Sequence, residues 1–378
     1  MKVYLDNAAT TPIDKEVLDA MMPYFTEHYG NPSSIHSYGR KCKAAIEESR
    51  KKVANFLNAS SSEIFFTSCG TEANNTALKC AVRDLGVKHI ISSPIEHHAV
   101  LYSLDCLQEH HDVKVHYLNV SKTGEVDLDQ LDQLLNSIND KCLVSLMHAN
   151  NEIGTMLDLE RATEICSKHD AYFHTDAVQT FAHYPIDVQK LKIHFLSASA
   201  HKFHGPKGVG LLYINGDVKI KPFLHGGSQE RNMRAGTENI YGIIGFAKAF
   251  EIASEHMSEH RAHVEGLKSN LKNQLITFFP DVEFNGESGE KSLYTVLSVS
   301  FPKDFGSDLL LFNLDIEGIS CSGGSACSSG TDAGSHVMKH LNADPSRKSV
   351  RFSFSRFNTN EDIDFLVSVL KKMVAVEV

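Results

Sequence analysis

Short apolar runs alternate along the chain with longer segments whose apolar residues recur at helical spacing. Strand-like runs occupy 63–67, 90–91, 113–118, 143–147 and 172–175, and a helical pattern separates each run from the next. Strands separated by helices of this length are typical of right-handed βαβ crossovers. We therefore predict an α/β fold with a mostly parallel sheet that is covered by helices on both faces.

Beyond residue 213 the alternation loosens, and the pattern favours a second, smaller domain. A long helical pattern starts near 241 and continues into the 270s. Three strand-like runs and a closing amphipathic helix follow, at 295–301, 319–321, 350–354 and from 361. This mixture predicts a smaller α+β domain. We expect 14–255 to form the large domain, and 1–13 together with 256–378 to form the small one.

The composition is that of an ordinary globular protein with an acidic balance. Hydrophobic residues make up 42% and charged residues 22% of the 378 residues, and the net charge of −10 argues against a nucleic-acid binder. No apolar run is long enough to span a bilayer, and the start of the chain lacks the apolar core of a secretory signal. The eight cysteines form no CxxC pair, which indicates reduced thiols. We expect a cytoplasmic protein with no membrane partner and no direct nucleic-acid partner.

One lysine, Lys202, lies in the stretch 195–213, where two apolar runs flank a Gly-Pro turn. Such runs predict strands, so Lys202 lies where a strand ends, which is the usual place for ligand chemistry in an open α/β sheet. It could be a loop lysine with its ammonium in water, the default for this residue type. It could also be an amine in a partly dry pocket, ready to form a Schiff base with a carbonyl cofactor.

Two further strand ends carry residues that suit the same kind of cofactor. The sequence Ser-Cys-Gly-Thr at 68–71 joins a strand to a helix, and its free N–H groups would favour a phosphate. An N-capped loop with Thr71 as the cap is an equally good interpretation. Asp176 could cap the next helix or pair with a pyridinium nitrogen. A lysine, an acid and an anion site are together the groups that pyridoxal phosphate requires.

Three other positions are candidates for chemistry, each with a structural alternative. His97 follows a strand and could stack on a ring and move protons, although most of the 21 histidines must be structural or solvated. Asn151 supplies an amide that could orient a ring hydroxyl. Cys327 lies in a glycine- and serine-rich run at 322–330, where it could be an exposed nucleophile on a mobile loop or have no role.

Several long motifs occur in order over nearly the whole chain, from residue 4 to beyond residue 356. They are YLDNAATTP, EHHAV, ANNEIG, TDAVQ, SAHKFHGPKG, RAGTEN and GSAC. Together they resemble the motifs of the cysteine desulfurases, which are pyridoxal phosphate (PLP) enzymes of the class V aminotransferase group with fold type I. The active loop resembles that of the branch serving iron–sulfur assembly and tRNA thiolation.

The resemblance implies a role for each matched position at the cofactor. Lys202 would hold pyridoxal phosphate covalently, Asp176 would pair with its pyridine nitrogen, and His97 would stack on its ring. Gln179 and Asn151 would contact the ring hydroxyl and the substrate side. The phosphate would be bound by Gly70, Thr71, Ser199, His201 and, from the partner subunit of a homodimer, Thr237.

The resemblance also implies the reaction and its partners. Arg351 would clamp the carboxylate of L-cysteine, and the thiolate of Cys327 would take the substrate sulfur as a persulfide, leaving L-alanine. The sulfur would then pass to an acceptor protein, either an iron–sulfur scaffold or a tRNA-thiolation protein. Cys69 stands where the family usually has a small residue, which affects local geometry. The chain stops soon after its final helix at Val378, whereas relatives that dock a scaffold often carry a longer tail.

Two other functions are compatible with the sequence. One is another class V PLP reaction, such as selenocysteine lysis or transamination. The other is noncatalytic sulfur or metal binding by a set of histidines with one cysteine, although their spacing matches no standard zinc pattern. That set is His97, His98, His201, His204 and Cys327.

Overall fold

The computed structural model describes residues 1–286, 289, 291–305, 309–323 and 334–375. Its helices are α1 (Lys15–Thr26), α2 (Ser37–Leu57), α3 (Gly70–Leu85), α4 (His98–His110), α5 (Leu128–Ser137), α6 (Leu159–Lys168), α7 (Ile240–Glu255), α8 (Met257–Phe278), α9 (Leu310–Ile316), α10 (His336–His340) and α11 (Asn360–Ala375). Its strands are β1 (Val3–Tyr4), β2 (Ile64–Thr67), β3 (His89–Ser92), β4 (Lys114–Tyr117), β5 (Cys142–Ser145), β6 (Tyr172–Asp176), β7 (Phe195–Ser199), β8 (Gly210–Ile214), β9 (Glu283–Phe284), β10 (Val296–Phe301), β11 (Ile319–Ser320) and β12 (Lys348–Ser353).

The central sheet has seven strands in the order β2-β8-β7-β6-β5-β3-β4. The pairs from β4 through β7 are parallel, whereas β8 runs antiparallel to both β7 and β2. Successive residues of one strand enter opposite cores, as Leu143 and Val144 of β5 do, because side chains alternate along a strand. The prediction of a mostly parallel sheet covered on both faces is confirmed.

A second core gathers the two ends of the chain. β12, β10 and β9 form an antiparallel sheet, and β1 pairs in parallel with β11. Val3 and Leu5 are buried with side chains of α8 and α11 in this core. The predicted small domain and its boundary at residue 255 stay predictions.

The prediction of a single long helix from about 241 is wrong, because the chain forms two helices, α7 and α8, which meet at His256. The apolar side chains of α7 enter the core beneath the large sheet, whereas Val264, Leu267 and Leu271 of α8 enter the small core. A single straight helix would have to turn one apolar face toward the core beneath the large sheet and another toward the small core. Within the described ranges, none of the helices combines the length and apolar character needed to cross a bilayer.

A buried histidine in the central sheet predicts how stability depends on pH. His174 on β6 is 0% exposed, and its ring nitrogens lie 2.8 and 3.2 Å from the hydroxyls of Ser145 and Ser197 on the neighbouring strands. Burial lowers the pKa of His174 to about 4. The unfolded chain binds this proton with a pKa of about 6.5, so the stabilisation is complete above that pH and is lost as the pH falls toward 4.

We expect this residue alone to cost about 2 kcal/mol of unfolding free energy by about pH 5. The measurement is urea unfolding at about pH 7.5 and about pH 5, compared with His174→Asn, which has no titrating ring. The variant should be less stable at the higher pH but should lose about 2 kcal/mol less on acidification. An equal loss in both proteins would contradict the assignment.

Candidate active site

The carboxyl ends of the central parallel strands open into a cavity of about 240 Å³. β6 ends at Asp176, β7 ends at Ser199, and a short 3₁₀ turn places Lys202 directly after β7. The cavity is lined by Ala8, Ala9, Cys69, Gly70, Thr71, Asn74, His97, His98, Met147, Asn151, Glu152, Asp176, Val178, Gln179, Ser199, His201, Lys202, His336 and Arg351. Ten of the predicted site residues therefore meet in one place.

Lys202 is not a solvated loop lysine. Its side-chain nitrogen donates to the backbone carbonyls of Ala8 and Ala9, at 2.6 and 2.7 Å. The segment that carries these carbonyls is itself fixed, because Thr11 donates from its N–H and its hydroxyl to the carbonyl of His201. The amine is therefore held at the cavity wall by backbone groups.

Asp176 is a buried acid whose two oxygens are both oriented. One oxygen accepts from the side-chain amide of Asn74 at 2.6 Å, and the other accepts from the N–H of Val178 at 2.9 Å. The residue is 7% exposed. Asp176 also lines the cavity, so its carboxylate can face a cationic ring nitrogen.

The anion end of the cavity is the start of α3. The helix begins after Cys69, and in the described part of the chain no side chain caps its first N–H groups. Thr71 lies inside the helix, so the interpretation of Thr71 as the cap is wrong. The hydroxyl oxygen of Ser199 is buried without a hydrogen-bond partner among the described residues. A Cβ at Gly70 would lie 2.6 Å from Val178, so glycine is required for this close approach.

Two histidines border the same space in their neutral forms. The Nδ1 atom of His97 accepts from the N–H of Ala99 at 3.1 Å, so a hydrogen on the neutral ring must be on Nε2. Burial lowers the pKa of His97, with Asp176 opposing the shift. Burial, reinforced by Lys202, lowers the pKa of His201 to about 4. His97 can therefore accept a proton near neutral pH more readily than it can supply one.

Arg351 forms the opposite wall on β12. It is 1% exposed, and its guanidinium donates to the carbonyl of Asn151 at 2.9 Å and to the carboxylate of Asp6 at 2.7 Å. Its Nε atom has no partner in the described ranges. A buried guanidinium that lines a cavity suits a small carboxylate.

One predicted position lies away from the cavity, and another is not among the described residues. Thr237 is exposed and lines a different pocket, beside Arg234 and Asn239, so it does not join the cavity of its own chain. Cys327 falls at 324–333, outside the residues that the structure describes.

The sequence interpretation missed several residues of the site. Asn74 orients Asp176, and the carbonyls of Ala8 and Ala9 hold Lys202. The cavity is also lined by His98, Glu152 and His336. The sequence does carry one signal for Asn74, a polar residue on the buried face of a helix. The backbone carbonyls carry none, because every residue has one.

These groups fit pyridoxal phosphate at each end of the molecule. The uncapped start of α3 and the unpartnered hydroxyl of Ser199 suit the phosphate, Asp176 suits the ring nitrogen, and Lys202 suits the aldehyde. In the part of the chain that is described, no group of three or more histidine, cysteine or acidic residues is arranged to hold a metal ion. The metal-binding alternative therefore has no support there.

Comparisons with known proteins agree with this chemistry. The profile of the family Aminotransferase class-V matches residues 3–366. Cysteine desulfurase IscS of Dictyoglomus turgidum is 45% identical over 377 residues, which cover 99% of this chain and 94% of the relative. A solved NifS-like protein superposes with a TM-score of 0.92 at 39% identity over 100% of both chains. The structure of SspA in complex with cysteine superposes with a TM-score of 0.80 at 32% identity, over 95% of this chain and 100% of the other. This chain therefore belongs to the class-V aminotransferase family and, within it, to the cysteine desulfurases.

Proposed function

We propose that this protein uses pyridoxal phosphate to remove sulfur from L-cysteine, giving L-alanine and a persulfide on Cys327. The observation that supports this most strongly is the meeting of Lys202, Asp176 and the uncapped start of α3 around one cavity, with Arg351 across from them. Each group matches one part of the cofactor or the substrate. The comparison structure that contains cysteine supports the choice of substrate.

In this mechanism the residues of the chain bind and orient the substrate and the cofactor, and they move protons. When bound, pyridoxal phosphate supplies an aldehyde that takes the substrate amine and a ring that accepts electrons from the α-carbon. Arg351 binds the substrate carboxylate, and Asp176 keeps a proton on the ring nitrogen. The freed amine of Lys202 removes the α-proton. Its position is set by the carbonyls of Ala8 and Ala9.

The transfer of sulfur from L-cysteine to Cys327 is balanced in atoms and electrons without an added oxidant or reductant. The thiolate of Cys327 forms a bond to the substrate sulfur as the bond from that sulfur to the β-carbon breaks. The electron pair of the broken bond stays with the β-carbon side, which gains protons to become L-alanine. The products are L-alanine and the Cys327 persulfide, and their atoms equal those of L-cysteine plus one thiol.

The test is anaerobic incubation of the holoenzyme with L-cysteine, followed by peptide mass mapping. We expect one added sulfur on the Cys327 peptide and an equivalent of L-alanine. Cys327→Ser should reduce sulfide and alanine formation by about 10³-fold, because the nucleophile is lost. Cys321→Ser, a half-buried thiol whose pKa burial raises to about 12, is the matched control and should keep its activity.

A different pattern would identify another reaction. A Cys327→Ser variant with unchanged turnover would contradict the persulfide, and transfer of the amino group to a keto acid would indicate an aminotransferase. A strong preference for selenocysteine over cysteine, with no sulfur added to Cys327, would indicate a selenocysteine lyase.

We also propose a homodimer in which Thr237 reaches the phosphate site of a second copy. Thr237 is exposed and lies away from the cavity of its own chain. Exposed apolar side chains on and after α1 support an apolar interface, and they are Leu18, Met22, Phe25, Tyr29, Ile35 and Tyr38. A monomer in sedimentation equilibrium of the holoenzyme would contradict this proposal.

We propose that the protein acts in the cytoplasm and passes its sulfur to an acceptor protein of iron–sulfur assembly or tRNA thiolation. The cysteines within the described residues are free thiols, which suits a reducing compartment. Transfer of labelled sulfur from the Cys327 persulfide to a thiol of a candidate acceptor tests the second part, and persulfide that reacts only with small thiols would contradict it.

A further inference from the structure

His183 joins the backbone of the catalytic lysine to the small domain, and the mechanism above gives it no role. Its Nε2 atom lies 3.2 Å from the carbonyl oxygen of Lys202, and its Nδ1 atom lies 2.8 Å from the hydroxyl of Tyr294. A carbonyl oxygen only accepts, so Nε2 carries the hydrogen. The neutral ring therefore accepts at Nδ1, and the hydroxyl of Tyr294 donates to it.

We propose that His183 is a positioning residue that fixes the position of Lys202 relative to Arg351 on β12. This role rests on the proposed function, because it concerns the two residues that would hold the amino and carboxylate ends of the substrate. His183 touches neither the substrate nor the cofactor in this proposal. It acts through the carbonyl of Lys202 and through Tyr294.

The small-domain end of this connection is buried. Tyr294 is 3% exposed and belongs to the core that also contains β10 and β12. It lies two positions before β10, whose Ser298 is paired directly with Arg351 of β12. A displacement of Tyr294 relative to His183 would therefore shift Arg351 relative to Lys202.

The large-domain end of this connection is the backbone carbonyl of Lys202. The carbonyls of Ala200 and His201 are bonded by Phe203, Gly205 and Thr11, whereas the carbonyl of Lys202 is bonded by His183. His183 connects that carbonyl to Tyr294 of the small core.

The backbone before His183 is strained in a way that supports a specific placement. Ala182 is buried and has φ +66°, a left-handed conformation that is unfavourable for a residue with a Cβ. Such strain persists where the surrounding structure determines it. It lies next to the residue that makes both bonds.

The protonation states suit the connection at neutral pH. Burial is the largest cause that lowers the pKa of His183 to about 4, with His260 and Arg356 adding to the shift. Burial also raises the pKa of Tyr294, so its hydroxyl keeps the hydrogen that it donates. Both hydrogen bonds therefore keep their direction at physiological pH.

The experiment compares two substitutions that differ in hydrogen bonding. His183→Gln supplies an amide N–H and a carbonyl, which can bond the same two groups, whereas His183→Leu supplies neither. We expect His183→Leu to raise the KM for L-cysteine about tenfold, and His183→Gln to stay within about threefold of wild type. Tyr294→Phe should reproduce the KM of His183→Leu, and the double variant should add little to either.

His263→Leu is the control, because His263 bonds a backbone carbonyl, that of Asn358, away from the cavity. It should lower the urea midpoint but leave the KM unchanged. The proposal is overturned if His183→Leu leaves the KM unchanged, if glutamine fails to restore it, or if the effects of His183→Leu and Tyr294→Phe are additive.

A readout without substrate separates this proposal from the proposed function. Urea unfolding of wild type, His183→Leu, Tyr294→Phe and the double variant forms a double-mutant cycle. Non-additive changes in the free energy of unfolding would support the connection even if wild type forms no alanine from L-cysteine. Absence of alanine formation would overturn the proposed function alone, whereas additive free energies would overturn the connection alone.

Discussion

Lys202→Ala is expected to lower the rate of alanine formation from L-cysteine by about 10⁴-fold, since one side chain both holds the cofactor and moves the α-proton. Its nitrogen is placed for this work by the carbonyls of Ala8 and Ala9. Steady-state alanine formation is the measurement. Borohydride reduction of the holoenzyme followed by peptide mapping should find the cofactor on the Lys202 peptide of wild type and on no peptide of the variant.

Lys207→Ala is the matched control, because Lys207 is an exposed lysine in the same connection between β7 and β8. It should keep wild-type activity and the reduced cofactor adduct on Lys202. The lysine has been misassigned if Lys202→Ala retains more than about a hundredth of wild-type activity with an unchanged urea midpoint.

Arg351→Met is expected to lower kcat/KM for L-cysteine by about 10³-fold, because it removes a charged donor from a buried site for the substrate carboxylate. The affinity for L-alanine should fall by a similar factor. The affinity for L-alaninamide, which lacks the carboxylate charge, should change little. Inhibition constants of both compounds against wild type and variant therefore measure the arginine–carboxylate interaction directly.

Two further variants make this result specific. The double variant Asp6→Asn/Arg351→Met also removes the acid that would otherwise lose its ion-pair partner. It should show the same discrimination between the two compounds. Arg347→Met alters a mostly buried arginine that bonds Ser300 and Asp281, away from the cavity. It should leave both inhibition constants unchanged. Equal losses for L-alanine and L-alaninamide in Arg351→Met would rule out the carboxylate role.

The sequence predicts the fold and the strand-end chemistry because both depend on local patterns. Apolar runs mark where strands end, so the sequence predicts both Asp176 and Lys202 at strand ends on one edge of the sheet. Ten residues implied by motif resemblance line the cavity, although their individual roles stay proposals.

The parts that sequence did not predict depend on long-range contacts or on backbone groups. The carbonyl of Ala8 meets Lys202 across 194 residues, and no pattern in either segment indicates that contact. His183 lies in an irregular connection after β6, where neither a helical nor a strand period applies. The division between α7 and α8 depends on two cores that exist only in the folded protein.

The pairing of the first strand with the last segments of the chain has a consequence for biosynthesis. The side-chain amide of Asn7 donates to the carbonyl of Ser353, 346 residues further along. During translation, the early segment therefore leaves the ribosome long before the strand that will hold it, while the seven-stranded sheet can already be assembling. The small core that holds Val3 and Leu5 can therefore close only after β12 has been synthesised, later than the segments that carry Asp176 and Lys202.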